Sequence, residues 1–283
     1  MAQKPLWAHV PKETKADIAI VVPHAYRSIE YGGARRSIQA LINQVSEELK
    51  LTCAICDPSS ASVARNRNVG VYLAKKLGVR YIFMADDDMI FPPDTLVRLI
   101  AANKDIASGL CTARSAPYII TAYKKMDNGR YKDLTYGELN QDGLTEVDGV
   151  GGACVLIGAN VFEKIPAPWF AMPPTWATSL LHNLHYRLAG NLKLDDLQLP
   201  QELPSEFSTT DSGVDGEDLY FCGLAKKFGY KIYVDSGLEI GYIGDWVYSI
   251  KDHLEYRGQK SGTERHRHTE SSVAVAENPA DSG

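Results

Sequence analysis

The first 110 residues alternate short apolar runs with amphipathic segments, and this alternation restricts the fold more than any other feature of the chain. Four apolar runs predict β-strands, at residues 17–22, 51–55, 81–84 and 106–108. The segments between them predict helices at residues 33–50 and 62–77 and a third that begins at Asp94. Strands and helices that alternate with short connections predict an α/β fold, in which a parallel sheet carries helices on both faces. Ligands of such sheets bind beyond the carboxyl ends of the strands.

The second half of the chain does not continue this alternation. Further strands are predicted at residues 118–123, 150–157, 231–234 and 238–243. Helices are predicted to begin at Asn160, to lie at residues 179–188, and to run from residue 218 to 228. The polar stretch from residue 258 to 283 has no hydrophobic periodicity, and we expect it to be disordered.

Composition and charge argue against several classes of protein. The 283 residues include 30 basic and 35 acidic side chains, a net charge of −5, which disfavours binding of duplex nucleic acid through bulk charge and leaves a local basic groove open. No apolar run approaches the ~18 residues that a membrane span needs. Residues 1–15 contain no apolar core of a secretory signal.

The five cysteines are scattered through apolar segments. This pattern is typical of free, buried thiols in a reducing compartment, and we therefore expect a cytoplasmic protein. Cys53 and Cys56 form a C-x-x-C pair, for which a redox or zinc role is the alternative to simple burial.

Three consecutive aspartates, Asp86 to Asp88, directly follow the third predicted strand. Adjacent carboxylates repel one another, so folding alone gives no reason for this run. In an extended chain Asp86 and Asp88 share one face, and Asp87 points away. Two convergent carboxylates form part of a site for Mg²⁺ or Mn²⁺, which combine carboxylates with the oxygens of a substrate diphosphate. The alternative is a solvated polar turn.

Three other groups of residues have both a functional and a structural interpretation. Residues 65–68 read Arg-Asn-Arg-Asn near a helix N-terminus, which suits an anionic ligand or an exposed polar helix start. Glu217 and Asp218 open a predicted helix, where acids complement the helix dipole or, with a raised pKa, provide a base. Gly151 and Gly152 permit close approach of a sugar or of a neighbouring element.

In this order, these residues resemble the nucleotide-binding half of a GT-A glycosyltransferase of the family-2 type. The resemblance rests on a first strand that ends at Pro23, Asp57 after the second strand, the Arg67-Asn68-Val69-Gly70 pattern and the aspartate run. Residues 150–157 look like the small-residue strand that lines a donor-sugar pocket, and Gly216-Glu217-Asp218 looks like the family's Glu-Asp motif. The resemblance covers residues 16–245, and the sequence also resembles phage-borne members of the group.

The resemblance implies a GT-A fold, with a Rossmann-like nucleotide-binding half, a mixed sheet and an acceptor half. The expected boundaries are an extension at residues 1–15, one domain at residues 16–257 that divides after residue 110, and the tail from residue 258. The implied activity is transfer of a sugar from a nucleotide-diphosphate sugar to an acceptor hydroxyl. Inversion is the expected outcome, with retention left open, and the acceptor would be a glycan, a protein or a modified nucleobase.

The resemblance also implies individual roles. Asp218 would be the general base, with Glu217 beside it on the acceptor side. Asp57 would contact the nucleotide base, unless it is a simple turn residue, and Asp86 would touch the ribose. Asp86 and Asp88 are the expected ligands of a Mn²⁺ or Mg²⁺ ion. The residues expected around the donor are Pro23, Asp57, Arg65, Arg67, Asn68, Asp86, Asp87, Gly151 and Gly152.

One departure from the family pattern concerns the metal. Members that bind a metal usually supply a late histidine in a His-x-Gly sequence, but here Tyr242 occupies that position, and tyrosine is a poor neutral ligand. His253 has the wrong spacing, and His266 and His268 lie in the tail. The ion would therefore be weakly held, completed by water, or unnecessary.

The acceptor side and two alternative functions complete the predictions. Trp169, Phe170 and Trp176 lie in a proline-rich stretch, where they would stack on a sugar or base or serve as packing anchors. A nucleotidyltransferase also uses strand-end aspartates, but residues 23–27 do not resemble its Gly-rich phosphate loop. The alternative outside the enzymes is a non-catalytic protein that binds a nucleotide sugar or glycan, which the missing histidine favours and the intact acids oppose.

Overall fold

The structure, a computed structural model, describes residues 15–24, 31–141, 143–171, 216–244 and 247–258. Its helices are α1 (Gly32–Leu49), α2 (Val63–Leu77), α3 (Thr95–Ala101), α4 (Val161–Lys164) and α5 (Glu217–Lys227), with a 3₁₀ helix at Tyr136–Glu138. Its strands are β1 (Ile18–Val21), β2 (Cys53–Cys56), β3 (Tyr81–Ala85), β4 (Met89–Ile90), β5 (Ile106–Leu110), β6 (Ala122–Lys125), β7 (Tyr131–Asp133), β8 (Leu144–Val147), β9 (Gly149–Val150), β10 (Cys154–Gly158), β11 (Ile232–Glu239), β12 (Gly241–Ile243) and β13 (Val247–Tyr248). The predictions for residues 1–14, for the helix at 179–188, for Trp176 and for the tail from residue 259 lie outside the described residues.

The central sheet has seven strands, in the order β2-β1-β3-β10-β5-β11-β8. β1 runs parallel to β2 and β3, and β5 runs parallel to β11. β10 lies antiparallel between β3 and β5, and β8 is antiparallel to β11. The predicted α/β class with a mixed sheet is therefore confirmed, and β1 to β3 with their two crossover helices are compatible with a Rossmann-like half.

Helices cover both faces of this sheet because its strands are apolar on both sides. In β1, Ile18 and Ile20 pack into the core beneath α1 and α3. Ala19 and Val21 alternate with them and pack into the core beneath α2, α4 and α5. In the described part of the chain, none of the helices is both long and apolar enough to cross a membrane.

Helix α2, which carries the Arg-Asn-x-Gly pattern, lies unusually close to β1. A Cβ atom at Gly70 would lie 2.2 Å from Cγ1 of Val21, so only glycine permits this approach. The predicted ends of the helix are confirmed: the Ser62 side chain accepts from the backbone N–H of Arg65, and Gly78 ends the helix with φ +68°. Asp94 does precede α3, but its side chain makes no capping hydrogen bond.

The second half departs from the predicted strands. The strand predicted at residues 150–157 is wrong, because the chain turns at residues 151–153 and its two parts, β9 and β10, belong to different sheets. The strand predicted from residue 118 begins only at Ala122, since Tyr118 has a left-handed φ of 51°. The sequence predicted a break between residues 234 and 238, but β11 continues across it with an irregularity of pairing. Residues 241–243 form a separate strand, β12, which pairs with β4. The predictions missed four short strands, β4, β7, β8 and β13.

The cysteines, all within the described residues, are free thiols. Cys53 and Cys56 are three residues apart on β2, so they pack into the cores on opposite faces of the sheet. Burial raises the pKa of each thiol to about 11. The predicted burial is confirmed for Cys56, and Cys53 is partly buried.

Candidate active site at the carboxyl edge of the sheet

Residues from distant parts of the chain meet at the carboxyl edge of β1 to β3. Because β10 is antiparallel to β3, its first residue, Cys154, pairs with Ala85, the last residue of β3. The glycine turn that precedes β10 therefore lies beside the aspartate run, and the Asp86 N–H donates to the Ala153 carbonyl at 3.2 Å. The N-terminus of α5 reaches the same turn through Asp218, which accepts from the N–H of Gly152 at 3.3 Å.

Arg67 is the centre of this edge. Its side chain, only 3% exposed, donates to Asp86 at 2.8 Å, to Glu217 at 3.1 Å and to the Gly152 carbonyl at 2.8 Å. Burial alone disfavours a charged guanidinium, but Asp86, Glu217 and Asp218 together raise the pKa of Arg67. One buried cation thus ties helix α2, the aspartate run, the glycine turn and helix α5 together. Arg67 therefore lies inside the protein. Its expected place around the donor stays a prediction.

Asp218 stands at the first turn of α5, as predicted for the candidate base. Its carboxylate accepts from the N–H groups of Leu219, at 2.8 Å, and Gly152. Burial and the adjacent Glu217 raise the pKa of Asp218 to about 6, against the lowering effects of Arg67 and these two N–H groups. A carboxylate with this pKa is mostly ionised at neutral pH and can accept a proton. Glu217, 8% exposed, faces Arg67.

The three aspartates diverge instead of alternating along an extended chain, because residues 87 and 88 form a turn between β3 and β4. Asp86 binds Arg67, and Asp87 pairs with Nδ1 of His24 at 2.8 Å. Asp88 lies 3.5 Å from the Arg114 guanidinium. Burial and the nearby Asp86 carboxylate raise the pKa of Asp88 to about 6, although Arg114 opposes this. The premise that Asp86 and Asp88 share one face of an extended strand is therefore wrong.

Tyr242 lies beside Asp88, at the position expected for the late histidine. Strand β12 pairs with β4, which sets Tyr242 opposite Met89, and the Ile243 N–H donates to the Asp88 carbonyl at 2.8 Å. Burial and the Asp88 carboxylate raise the pKa of Tyr242 to about 12, so its phenol is neutral. The guanidinium of Arg114 stacks on the Tyr242 ring at 4.5 Å from the centroid.

The donor set offers at most a partial cation site. Within the described ranges, no group of three or more His, Cys, Asp or Glu side chains converges to hold a metal ion. Asp86 is already paired with Arg67, which leaves Asp88 as the aspartate with the weaker cation contact. This chemistry fits a Mg²⁺ or Mn²⁺ ion only if the oxygens of a bound ligand complete the coordination.

The other residues predicted around the donor have varied surroundings. Asp57 is exposed after β2, where a ligand can reach it, and Pro23 is buried after β1. The Asn68 amide donates to the Phe170 carbonyl at 2.6 Å and accepts from the N–H groups of residues 169 and 170, so it holds the loop that contains these two residues. Arg65 is exposed and lines, with Asn68 and this loop, a cavity of about 730 Å³.

In the glycine turn, residues 151–153, packing accounts for glycine at position 152 and leaves little room at position 151. A Cβ atom at Gly152 would lie 2.7 Å from Cζ of Arg67, and one at Gly151 would lie 3.0 Å from Cβ of Thr121. Any larger residue at position 152 would displace the buried guanidinium. The close approach predicted for these glycines is thus made by the protein's own side chains.

The aromatic residues of the predicted acceptor side that the structure describes serve as packing anchors. Trp169 and Phe170 are 8% and 3% exposed, and the Phe170 ring stacks on Phe221 with a centroid distance of 4.9 Å. His253 is also buried, and its Nδ1 lies 2.9 Å from the Tyr118 carbonyl. His266 and His268 lie outside the described residues.

Sequence reasoning missed two residues of this edge, Arg114 and His24. Each follows a predicted strand by two to six residues, but neither belongs to a motif. Their contacts with Asp88 and Asp87 arise only when the strand ends come together.

No protein-family profile matches this chain, and no curated protein matches its sequence significantly. Among solved structures, the chain is similar to the crystal structure of A197 from STIV, with a TM-score of 0.46 and 15% sequence identity. The alignment covers 80% of this chain and 85% of A197. A similarity this weak supports no conclusion about family or activity.

Proposed function

We propose that this chain is a nucleotide-sugar-dependent glycosyltransferase of the GT-A type. The observation that carries the proposal is the connection of Asp218 to the aspartate run through Arg67 and the Gly152 turn, at the edge of an α/β sheet where ligands bind. A candidate base and a candidate donor site, 132 residues apart from Asp86 to Asp218, are thereby linked by hydrogen bonds. The ordered motifs of the sequence supply the substrate class.

In this proposal Asp218 drives a displacement at the anomeric carbon of the donor sugar. A carboxylate oxygen of Asp218 takes the proton of the acceptor hydroxyl while the hydroxyl oxygen forms a bond to the anomeric carbon. The bond from that carbon to the diphosphate oxygen breaks, and its electron pair leaves with the nucleoside diphosphate. Attack opposite to the leaving group inverts the anomeric centre. Asp57 would contact the nucleotide base, and Asp86, held by Arg67, would contact the ribose.

A divalent cation, when bound, would supply positive charge to the donor diphosphate, and Asp88 with Asp86 would hold it. We expect Asp88→Asn to reduce Mn²⁺-supported nucleoside diphosphate binding by roughly 10- to 100-fold. Of the two aspartates, Asp88 has the longer contact with an arginine and is therefore the more available to a metal ion. Asp87→Asn is the matched control, because that carboxylate faces His24. Isothermal titration with Mn²⁺ and with chelator measures both variants, and equal losses would contradict the assignment.

A nucleoside diphosphate should stabilise the folded protein. At 100 times its dissociation constant, a ligand that binds only the folded state adds about 2.7 kcal/mol to the free energy of unfolding. We therefore expect a rise of several degrees in melting temperature with at least one of ADP, CDP, GDP, UDP and dTDP. A flat response to all five at millimolar concentration would remove the basis for a donor site.

The decisive experiment incubates the protein with a panel of nucleotide sugars and follows the products by mass spectrometry. Release or transfer of the sugar with a nucleoside diphosphate as the second product supports the proposal. Tight binding with the nucleotide sugar left intact identifies a non-catalytic binding protein. Formation of pyrophosphate from a nucleoside triphosphate and a sugar phosphate identifies a nucleotidyltransferase.

A further inference from the structure

Acidic side chains dominate the carboxyl edge of the sheet. Asp86, Asp87, Asp88, Glu217 and Asp218 all lie there. An anionic diphosphate that enters this edge meets repulsion unless a cation faces it. Arg67 cannot be that cation, because it is buried and its guanidinium already binds Asp86 and Glu217.

Arg114 has the properties that Arg67 lacks. Its side chain is 47% exposed, and within the described ranges its hydrogen bonding is limited to one contact with Asp88, at 3.5 Å. By contrast, Arg98, further along the sheet, donates several hydrogen bonds, to the Asp235 carboxylate and the Gly237 carbonyl. An arginine presents five N–H donors in a planar fork, so most of the donors of Arg114 remain available to a ligand.

The ring of Tyr242 holds this guanidinium in place. The guanidinium carbon lies 4.5 Å from the ring centroid, within the range of a cation–π contact. The pairing of β12 with β4 holds the tyrosine next to Asp88, so the flat guanidinium is kept at the end of the aspartate run. A histidine or a small residue would offer a smaller platform.

On these contacts, and resting on the proposed function, we propose that Arg114, supported by Tyr242, binds the diphosphate of the donor. The guanidinium exchanges its long contact with Asp88 for bidentate bonds to phosphate oxygens, the geometry that arginine favours. When the bond between the anomeric carbon and the diphosphate oxygen breaks, the electron pair stays on that oxygen, and Arg114 stabilises the new charge. Tyr242 is a positioning residue in this arrangement. A divalent cation, when bound, would add to the positive charge that Arg114 supplies, but it is not required for diphosphate binding.

The test compares nucleoside diphosphates with the matching monophosphates in the presence of EDTA. The probes are ADP, CDP, GDP, UDP and dTDP, and the base that binds the wild-type protein most tightly is used for all variants. A charge-assisted pair removed by Arg114→Gln should weaken diphosphate binding by about 10- to 100-fold. Monophosphate binding should remain nearly unchanged, because a monophosphate lacks the β-phosphate that Arg114 would contact. The diphosphate affinity of Arg114→Lys, which keeps the charge, should fall between that of the wild-type protein and that of Arg114→Gln.

Two further variants separate this role from a structural one. Tyr242→Phe keeps the ring and should keep the diphosphate affinity, whereas Tyr242→Ala should lower it. Arg130→Gln removes an exposed arginine in the β6–β7 turn and should have no effect. Melting temperatures of all variants show whether each remains folded, as we expect for the half-exposed Arg114.

The outcomes distinguish this proposal from the function on which it rests. Wild-type binding with an unchanged Arg114→Gln variant, equal losses for diphosphate and monophosphate, or wild-type binding only with Mn²⁺ would each overturn the role of Arg114 and leave the glycosyltransferase proposal standing. Failure of the wild-type protein to bind any nucleotide, with or without Mn²⁺, would overturn the donor site itself. Selective loss of diphosphate affinity supports both.

Discussion

Asp218→Asn should abolish most of the sugar transfer while leaving the protein folded. A positioned general base contributes roughly 10²- to 10⁴-fold to a rate, and asparagine cannot take the acceptor proton. The amide has the same size, and its one oxygen can still accept from the N–H of Leu219, whereas the longer bond from the N–H of Gly152 to the second carboxylate oxygen is lost. Donor affinity should therefore change little, and the melting temperature should fall only slightly. Initial rates of transfer, donor titration and thermal unfolding on this one variant measure the three quantities.

The pH dependence gives a second readout for the same residue. Because the pKa of Asp218 is raised to about 6, the wild-type rate should rise with pH through about 6 and level off above it, as the carboxylate becomes ionised. The variant should lose this limb. Full transfer by Asp218→Asn, or an unaltered pH profile, would end its assignment as the base and leave only a structural role at the start of α5.

Arg67→Met should cost more stability than any other single change at this edge. Breaking a buried ion pair by removing one partner typically costs about 3–5 kcal/mol, because the remaining charge stays buried without compensation. Here the buried Glu217 and the partly buried Asp86, whose side chain is 29% exposed, would both lose their cation. Urea unfolding measures the loss, with Arg130→Met as the exposed control and Arg67→Lys as the variant that keeps the charge but not the three bonds.

The destabilisation should depend on pH in a defined direction. Burial already raises the pKa of Asp86, and loss of Arg67 raises it further. A carboxyl whose pKa is higher in the folded than in the unfolded state binds more protons when folded, so its contribution to stability falls as pH rises between the two values. The deficit of Arg67→Met should therefore be largest near neutral pH and shrink as pH falls toward about 4, where unfolded carboxyls also protonate. A deficit of less than 1 kcal/mol at neutral pH, or one that grows on acidification, would contradict a buried charge hub.

The local elements of this protein follow from its sequence. Apart from the two-residue strand β4, the order of strands and helices through residue 110 was predicted, as were the Ser62 and Gly78 helix ends and the burial of four of the five cysteines, because each depends on neighbours within a few residues. Strand predictions failed in glycine-containing or polar sequence, at the turn before β10 and in β7 and β8. Apolar periodicity says nothing about a turn made of small residues.

The residue types at the strand ends also follow from the sequence, but their partners do not. Arg67 was expected around the donor, and the structure adds what the sequence did not indicate, its hydrogen bonds to Asp86, 19 positions away, and to Glu217, 150 positions away. Asn68 holds a loop, Gly152 leaves room for a guanidinium, and Arg114 stacks on Tyr242. Such contacts form only when the antiparallel β10 and the β4–β12 pairing bring strand ends together, since the energy of an ion pair depends on distance in space and on burial. The sequence by itself therefore determined which chemical groups this edge contains, and the tertiary structure decided which of them neutralise one another and which remain exposed.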